Sequence, residues 1–281
     1  MPGTVIKIYA NRNWNEYFGL KIDGANGGQL IAQGSPEEPI IFTSWYDDET
    51  MGDTNNDATW YQAPQPGDYR ALNFSQTNNS SLENVIIKYG GTTRNNDSTI
   101  LLDNSKVNFH NLKLIKNLQP GIVLKNNSDT LIENLEASEN KNEILQLNDI
   151  CQGILNNSLI QNNFGNSVIK ISAASNFSGT NNSFNTNNNQ KIIITPYDIN
   201  QTVVWRKFDL PYYLEGQIKI TSTGQLNINA GVEAHFGYYY SRLLNLGELN
   251  VLGAAAAPVV FTSFSNNASA NNDYWGGVVF E

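Results

Sequence analysis

Asparagine returns at a fixed interval in this chain, and that interval limits what the chain can become. The segment Asn111-Leu112-Lys113-Leu114-Ile115-Lys116-Asn117 recurs as Asn134-Leu135-Glu136-Ala137-Ser138-Glu139-Asn140 and as Asn157-Ser158-Leu159-Ile160-Gln161-Asn162-Asn163. A weaker copy is Asn181-Asn182-Ser183-Phe184-Asn185-Thr186-Asn187. The leading asparagines step by 23, 23 and 24 residues, and a relative beginning at Asn84 lies 27 residues before the first copy. A period of this size marks a solenoid, whose single turn cannot bury its own apolar face and gains a core only by stacking.

The apolar residues keep step with the asparagines. Leu82, Phe109, Ile132, Leu155 and Gly179 precede each leading Asn by two; Ile87, Leu114, Ala137, Ile160 and Phe184 follow it by three. A second apolar pair follows the trailing Asn: Ile122 and Leu124, Leu145 and Leu147, Ile192 and Ile194, with Val168 and Ile171 slightly out of step. Residues two apart on a strand point the same way, so these are inward columns of short strands. The helical spacing of apolar residues is absent and the repeat is too short for a helix plus two strands. The expected fold is all-β: a parallel β-helix with coils of about 23–27 residues, successive coils lying ~4.8 Å apart. Asn suits the corners because it tolerates the left-handed backbone region, and stacked amides can bond from coil to coil.

The first and last parts of the chain share a module. Gly28-Gln29-Leu30-Ile31-Ala32-Gln33-Gly34 and Pro39-Ile40-Ile41-Phe42-Thr43-Ser44 return at an offset of 219 as Gly247 to Gly253 and Pro258 to Ser263. Gly3 to Ile8 resembles Gly231 to Phe236, and Tyr69 to Phe74 resembles Trp275 to Phe280. The chain thus divides into a first module (1–91) with an acidic insertion (45–67), Asn-ladder coils (92–200) and a second module (201–281). No polar cap is evident at either end, where solenoids usually carry one; a window of a longer repetitive protein is the expectation.

Composition narrows the partners. The 281 residues are 40% hydrophobic with a net charge of -9, which argues against nucleic acid or an anionic membrane as partner. No run approaches the ~18 apolar residues of a membrane span, and Met1-Pro2-Gly3-Thr4 does not read as a signal peptide. Cys151, the sole cysteine, reads as a small buried hydrophobe.

The motifs Gly-x-Leu-x-x-x-Gly (Gly28 to Gly34), Pro-Ile-Ile-Phe-Thr-Ser (Pro39 to Ser44), Gly-Asp-Tyr-x-x-Leu-x-Phe (Gly67 to Phe74) and Ser-x-Leu-x-Asn-x-x-Ile-x-Tyr-Gly-Gly (Ser80 or Ser81 to Gly91) resemble bacterial right-handed parallel β-helix repeat proteins of the pectin-lyase-like superfamily. The resemblance covers nearly the whole chain. It implies a right-handed coil and a large secreted or surface-attached parent; it does not fix an activity, because this fold hosts lyases, hydrolases, adhesins and non-catalytic arrays.

Two places carry candidate chemistry. In the insertion, Asp53, Asn55 and Asp57 alternate as in oxygen-rich calcium loops, with Asp47, Asp48 and Asp68 as further candidate Ca2+ ligands. Ala58 stands where an EF-hand loop has Gly, and Pro64 where it has Glu. The second module lacks these acids, so a cation is not needed to form a coil. On the coils, His110 and Glu133 fall on adjacent turns, where they could act as a general acid/base pair assisted by Lys113. The plainer account is charge pairing between neighbouring strands, Lys113 with Glu136 and Lys116 with Glu139. His235 has no evident partner. The aromatic pairs Trp45-Tyr46, Trp60-Tyr61 and Tyr212-Tyr213, and the run Tyr238-Tyr239-Tyr240, suit sugar binding or packing over coil edges.

No Gly-rich phosphate loop, Cys/His cluster or Gly-x-Ser-x-Gly elbow is present. An ice-binding solenoid is disfavoured, since no flat Thr-x-Thr column repeats. The expected function is non-catalytic extension, adhesion or glycan binding at a cell surface, with polysaccharide or surface glycans and neighbouring repeats as partners. The alternative is a polysaccharide lyase or glycoside hydrolase.

Overall fold

The computed structural model describes residues 1–12, 15–56, 63–93, 98–237, 240–263 and 276–281. It is an all-β parallel β-helix of about eight turns, with almost no helix; among the described residues there is one short 3-10 turn, at Gly24–Asn26. Through the central coils each turn has three straight arms. The first and second arms are halves of one bent sheet: Ser80–Lys88 and Val107–Ile115 run through both, followed by the separate pairs Asp129–Glu133 with Glu136–Ser138, and Gln152–Asn156 with Leu159–Gln161. The third arm is a parallel sheet of ten strands, from Leu20–Asp23 to Val260–Ser263.

The register follows the asparagine interval. Phe109 faces Ile132 on the first arm, Leu114 faces Ala137 on the second, and Ile122 faces Leu145 on the third. The inward columns form one buried cluster running from Ile8 to Leu243. On the third arm Ile169 and Ile171 take the places next to Leu145 and Leu147, so the third copy holds one extra residue before this strand. The expected Val168–Ile171 pair is corrected accordingly. In the weak fourth copy, Gly179 stands where its predecessors carry apolar side chains because a Cβ there would come within 1.9 Å of the Leu155 carbonyl oxygen.

The two asparagine columns divide the roles expected of each. The leading column, Asn84, Asn111, Asn134, Asn157 and Asn181, has φ between 51° and 58°. These residues make the bend between the first and second arms, where a left-handed residue is needed. Their amides point outward and bond along the column, as in Asn111 Nδ2 to Asn84 Oδ1 (2.8 Å) and Asn134 Nδ2 to Asn111 Oδ1 (3.0 Å). The trailing column, Asn117, Asn140, Asn163 and Asn187, is buried. Here the left-handed residue is the one before: Lys116, Glu139, Asn162 and Thr186, with Tyr89 in the same place ahead of Gly90.

Cys151 is buried, and it occupies a column of hydroxyls. Thr77 N donates to Ser105 Oγ, Ser105 N to Ser128 Oγ, and Cys151 N to Ser175 Oγ. Burial pushes the Cys151 thiol pKa up to about 12.

The duplicated module repeats its pairing on a different arm. Val5 faces Ile41 on the second arm, and the equivalent residues Glu233 and Val260 face each other on the third. The second arm ends at Ser183–Asn185, and a new three-stranded sheet begins at Gln217–Ile220, continuing through Arg242–Asn245 and Val278–Phe280. Between them the chain crosses through Phe208, whose ring packs on Phe177 and Phe184 at 5.0 and 5.7 Å. The Pro-Ile-Ile-Phe-Thr-Ser strand of the first copy therefore lies on the second arm, and its counterpart in the second copy lies on the third.

Candidate functional site

The paired charges on the outer face of the bent sheet come first. The register places His110 beside Glu133 and Lys113 beside Glu136. His110 Nδ1 is 3.8 Å from Glu133 Oε2, Lys113 Nζ is 2.7 Å from Glu136 Oε2, and Lys116 Nζ is 3.9 Å from Glu139 Oε2. All six side chains are substantially exposed, so water screens each pair and its contribution is ~0–1 kcal/mol. A groove of about 390 Å3 runs beside them, floored by Asn84, Asn111 and Asn134 and walled by Pro36, Pro39 and Lys113.

The acidic insertion arranges its carboxylates differently. Asp47 is fully buried. Its Oδ2 accepts from Thr43 Oγ1 (2.5 Å) and Thr50 Oγ1 (2.8 Å) and lies 2.8 Å from Lys88 Nζ. Burial alone would raise its pKa; hydrogen bonds from Lys88, Thr43 and Thr50, with the Lys88 charge, outweigh burial and hold it below the ordinary carboxylate value. Asp68 receives a two-pronged contact from Arg12, Nε to Oδ1 at 2.8 Å and Nη2 to Oδ2 at 2.6 Å. Ser44 Oγ and Gln65 N complete its shell at 2.6 and 2.9 Å. The Arg12 guanidinium also lies 4.4 Å from the centre of the Tyr46 ring. Asp47 and Asp68 thus face inward onto cations of the protein itself.

Of the other expected calcium ligands, Asp53 is exposed, Asp48 and Asn55 are half-buried, and Asn55 Nδ2 donates to Trp45 O (3.2 Å). Asp57 lies outside the described residues, as do Trp60, Tyr61, Tyr238 and Tyr239. Among the described residues no group of three or more His, Cys, Asp or Glu side chains comes together as a metal ligand set. Sequence reasoning missed Lys88 and Arg12. Lys88 was legible in principle, because the pairing of Ile40 with Val85 carries Lys88 to the level of Thr43. Arg12 lies in a segment with no repeat counterpart.

His235 does have partners, contrary to expectation. It is 8% exposed, its Nε2 lies 2.6 Å from Glu233 Oε1, and it stacks on Tyr213 with ring centres 4.6 Å apart. Of the aromatic pairs, Trp45 packs edge-on against Tyr9 and Tyr46 donates to Ala10 O (2.8 Å). Tyr212 is buried against Trp205, while Tyr213 points outward into a second cleft. Among the described residues no helix is long and apolar enough to cross a membrane. Comparison of the chain with protein-family models, with curated proteins and with solved structures gives no match.

Proposed function

We propose that the chain is a non-catalytic, secreted or cell-surface segment of β-helix, of the bacterial right-handed pectin-lyase-like kind, that extends a larger repetitive protein and presents its outer faces for adhesion or glycan binding. The observation that carries this reading is the fate of the candidate catalytic groups. Each residue expected to do chemistry on the coils, His110, Lys113 and Glu133, lies in register beside a partner on the neighbouring strand and is substantially exposed, whereas a catalytic acid or base is tuned by burial and neighbours. The module used twice in one chain supports a repetitive parent.

Incubation with neutral and acidic polysaccharides tests the reading: no reducing or unsaturated ends should appear. Their release, abolished by Glu133→Gln, would instead establish the carbohydrate-active enzyme, a lyase or hydrolase, that the closeness of His110 to Glu133 favours as second reading. Calcium is proposed for Asp53 and Asn55, with Asp57 joined to them by the sequence alternation alone. Added calcium should raise the melting temperature in the native chain and leave it unchanged in Asp53→Asn; no rise in the native chain would dismiss the cation.

A further inference from the structure

A second cleft, of about 580 Å3, opens at the corner beyond the third arm, lined by Asn166, Asn189, Lys191, Tyr213, Glu215 and Tyr240 among others. Its size falls within the ~300–1,000 Å3 of small-ligand sites. Its walls come from four successive levels of the stack: Asn166 just before the strand Ile169–Ser172, Lys191 and Ile193 at the strand Ile192–Thr195, Tyr213 and Glu215 at the strand Tyr212–Leu214, and Gly237 and Tyr240 beyond Glu233–Phe236.

The coil itself does not require these residues. On the levels below, the outward position equivalent to Tyr213 is held by Leu101, Val123, Gln146 and Lys170. At the cleft that column becomes Ile193, Tyr213 and His235. Tyr213 is clamped there: His235 stacks on it with the planes 12° apart, and Lys191 Nζ lies 5.0 Å from its ring centre. A side chain fixed before a ligand arrives costs little ordering when it binds. Tyr240 stands on the rim, 52% exposed.

We propose that this cleft binds one pyranose unit of a neutral glycan, a hexose or N-acetylhexosamine, rather than a uronate. The sugar's C–H face lies on the Tyr240 ring, an apolar surface with a polar edge. Its hydroxyls reach Asn166, Asn189 and the Tyr213 phenol, the few polar groups that set orientation in such a site. Lys191 and Glu215 give the lining one charge of each sign, and the chain as a whole carries -9, so the cleft has no excess of positive charge to favour a carboxylated or sulfated sugar. The inference deepens the glycan-binding reading and rests on it.

Calorimetric titration of the full chain with tetrasaccharides of glucose, mannose, N-acetylglucosamine and galacturonate is the test. Saturable binding of at least one neutral probe is expected, weakened about tenfold, or about 1.4 kcal/mol, by Tyr240→Ala and by Asn166→Ala. Tyr240→Phe keeps the ring and should keep the affinity; the melting temperature of each Tyr240 variant, measured alongside, separates lost binding from lost fold. Binding of galacturonate alone, no binding of any neutral probe, or unchanged affinity in Tyr240→Ala would overturn the proposal. The two readings fail separately: product release breaks the non-catalytic reading and leaves the titration to decide the cleft, whereas absent binding removes the cleft and leaves the scaffold.

Discussion

The central coils and the first module both bury polar groups, and they satisfy them in opposite ways. In the central coils the interior polar group is neutral. Asn117 donates to Asn140 Oδ1 through both its backbone N (3.0 Å) and its Nδ2 (2.9 Å); Asn140 does the same to Asn163, and Asn163 to Asn187. Each amide satisfies the one above, so the device extends with every added coil. In the first module the interior polar groups are ions, Asp47 with Lys88 and Asp68 with Arg12. That arrangement closes one loop at one height and cannot be repeated. A ladder stabilises a pattern, and an ion cluster specifies a place.

Breaking the ion cluster should give the largest effect. Asp47→Ala leaves Lys88, whose side chain is only 17% exposed, without its counter-ion, and breaking a buried pair this way costs ~3–5 kcal/mol. The midpoint of urea unfolding should fall accordingly, and the double variant Asp47→Ala with Lys88→Met should recover much of the loss. Recovery would be absent if Lys88 were solvated. The pH dependence has a definite sign. Because the folded pKa of Asp47 is depressed, its contribution is present above the unfolded value of about 4 and disappears as pH falls through the lower folded one. The native chain should lose more stability on acidification than Asp47→Asn does.

The ladder comes next. Asn140→Leu removes the acceptor for Asn117 N and Nδ2 and the donor to Asn163. Buried groups left unsatisfied cost ~1–3 kcal/mol each, so a loss of about 3 kcal/mol is expected in the same urea experiment. The outer column sharpens the contrast. Asn134→Ala removes an exposed amide bond and places a Cβ-bearing residue of poorer left-handed tolerance at φ 58°, costing ~1–2 kcal/mol. Equal losses at Asn140 and Asn134 would erase the distinction between a buried ladder and a cornering residue.

The contrast also explains how much the amino-acid order reveals. The ladder is periodic, so its interval alone yields the coil, the inward columns and the pairing of Lys113 with Glu136. Periodicity is silent about residues that occur once. Arg12 reaches Asp68 by loop closure across 56 positions, and Lys88 reaches Asp47 only once the register of Ile40 on Val85 is known, so the acidic run reads as a cation loop while its counter-ions are out of view. His235 escapes for a similar reason: its stack on Tyr213 depends on register across a region where one arm ends and another starts. The duplicated module is visible as a motif, but its shift to another arm is not, since an offset in sequence carries no information about azimuth around the coil axis.

The smallest effect is expected on the outer face, where the charged pairs stand in water. Glu136→Gln breaks the Lys113 pair, the shortest of the three there. Both residues are close to half exposed or more, so the change should cost under ~1 kcal/mol and shrink further as salt is added. Comparing melting curves of Glu136→Gln and native chain at low and high salt would measure it. A much larger, salt-insensitive loss would mean the groove beside Pro36 and Pro39 shields the pair from water. The outer face would then resemble the first module's interior, and His110 and Glu133 would sit in surroundings able to tune an acid and a base.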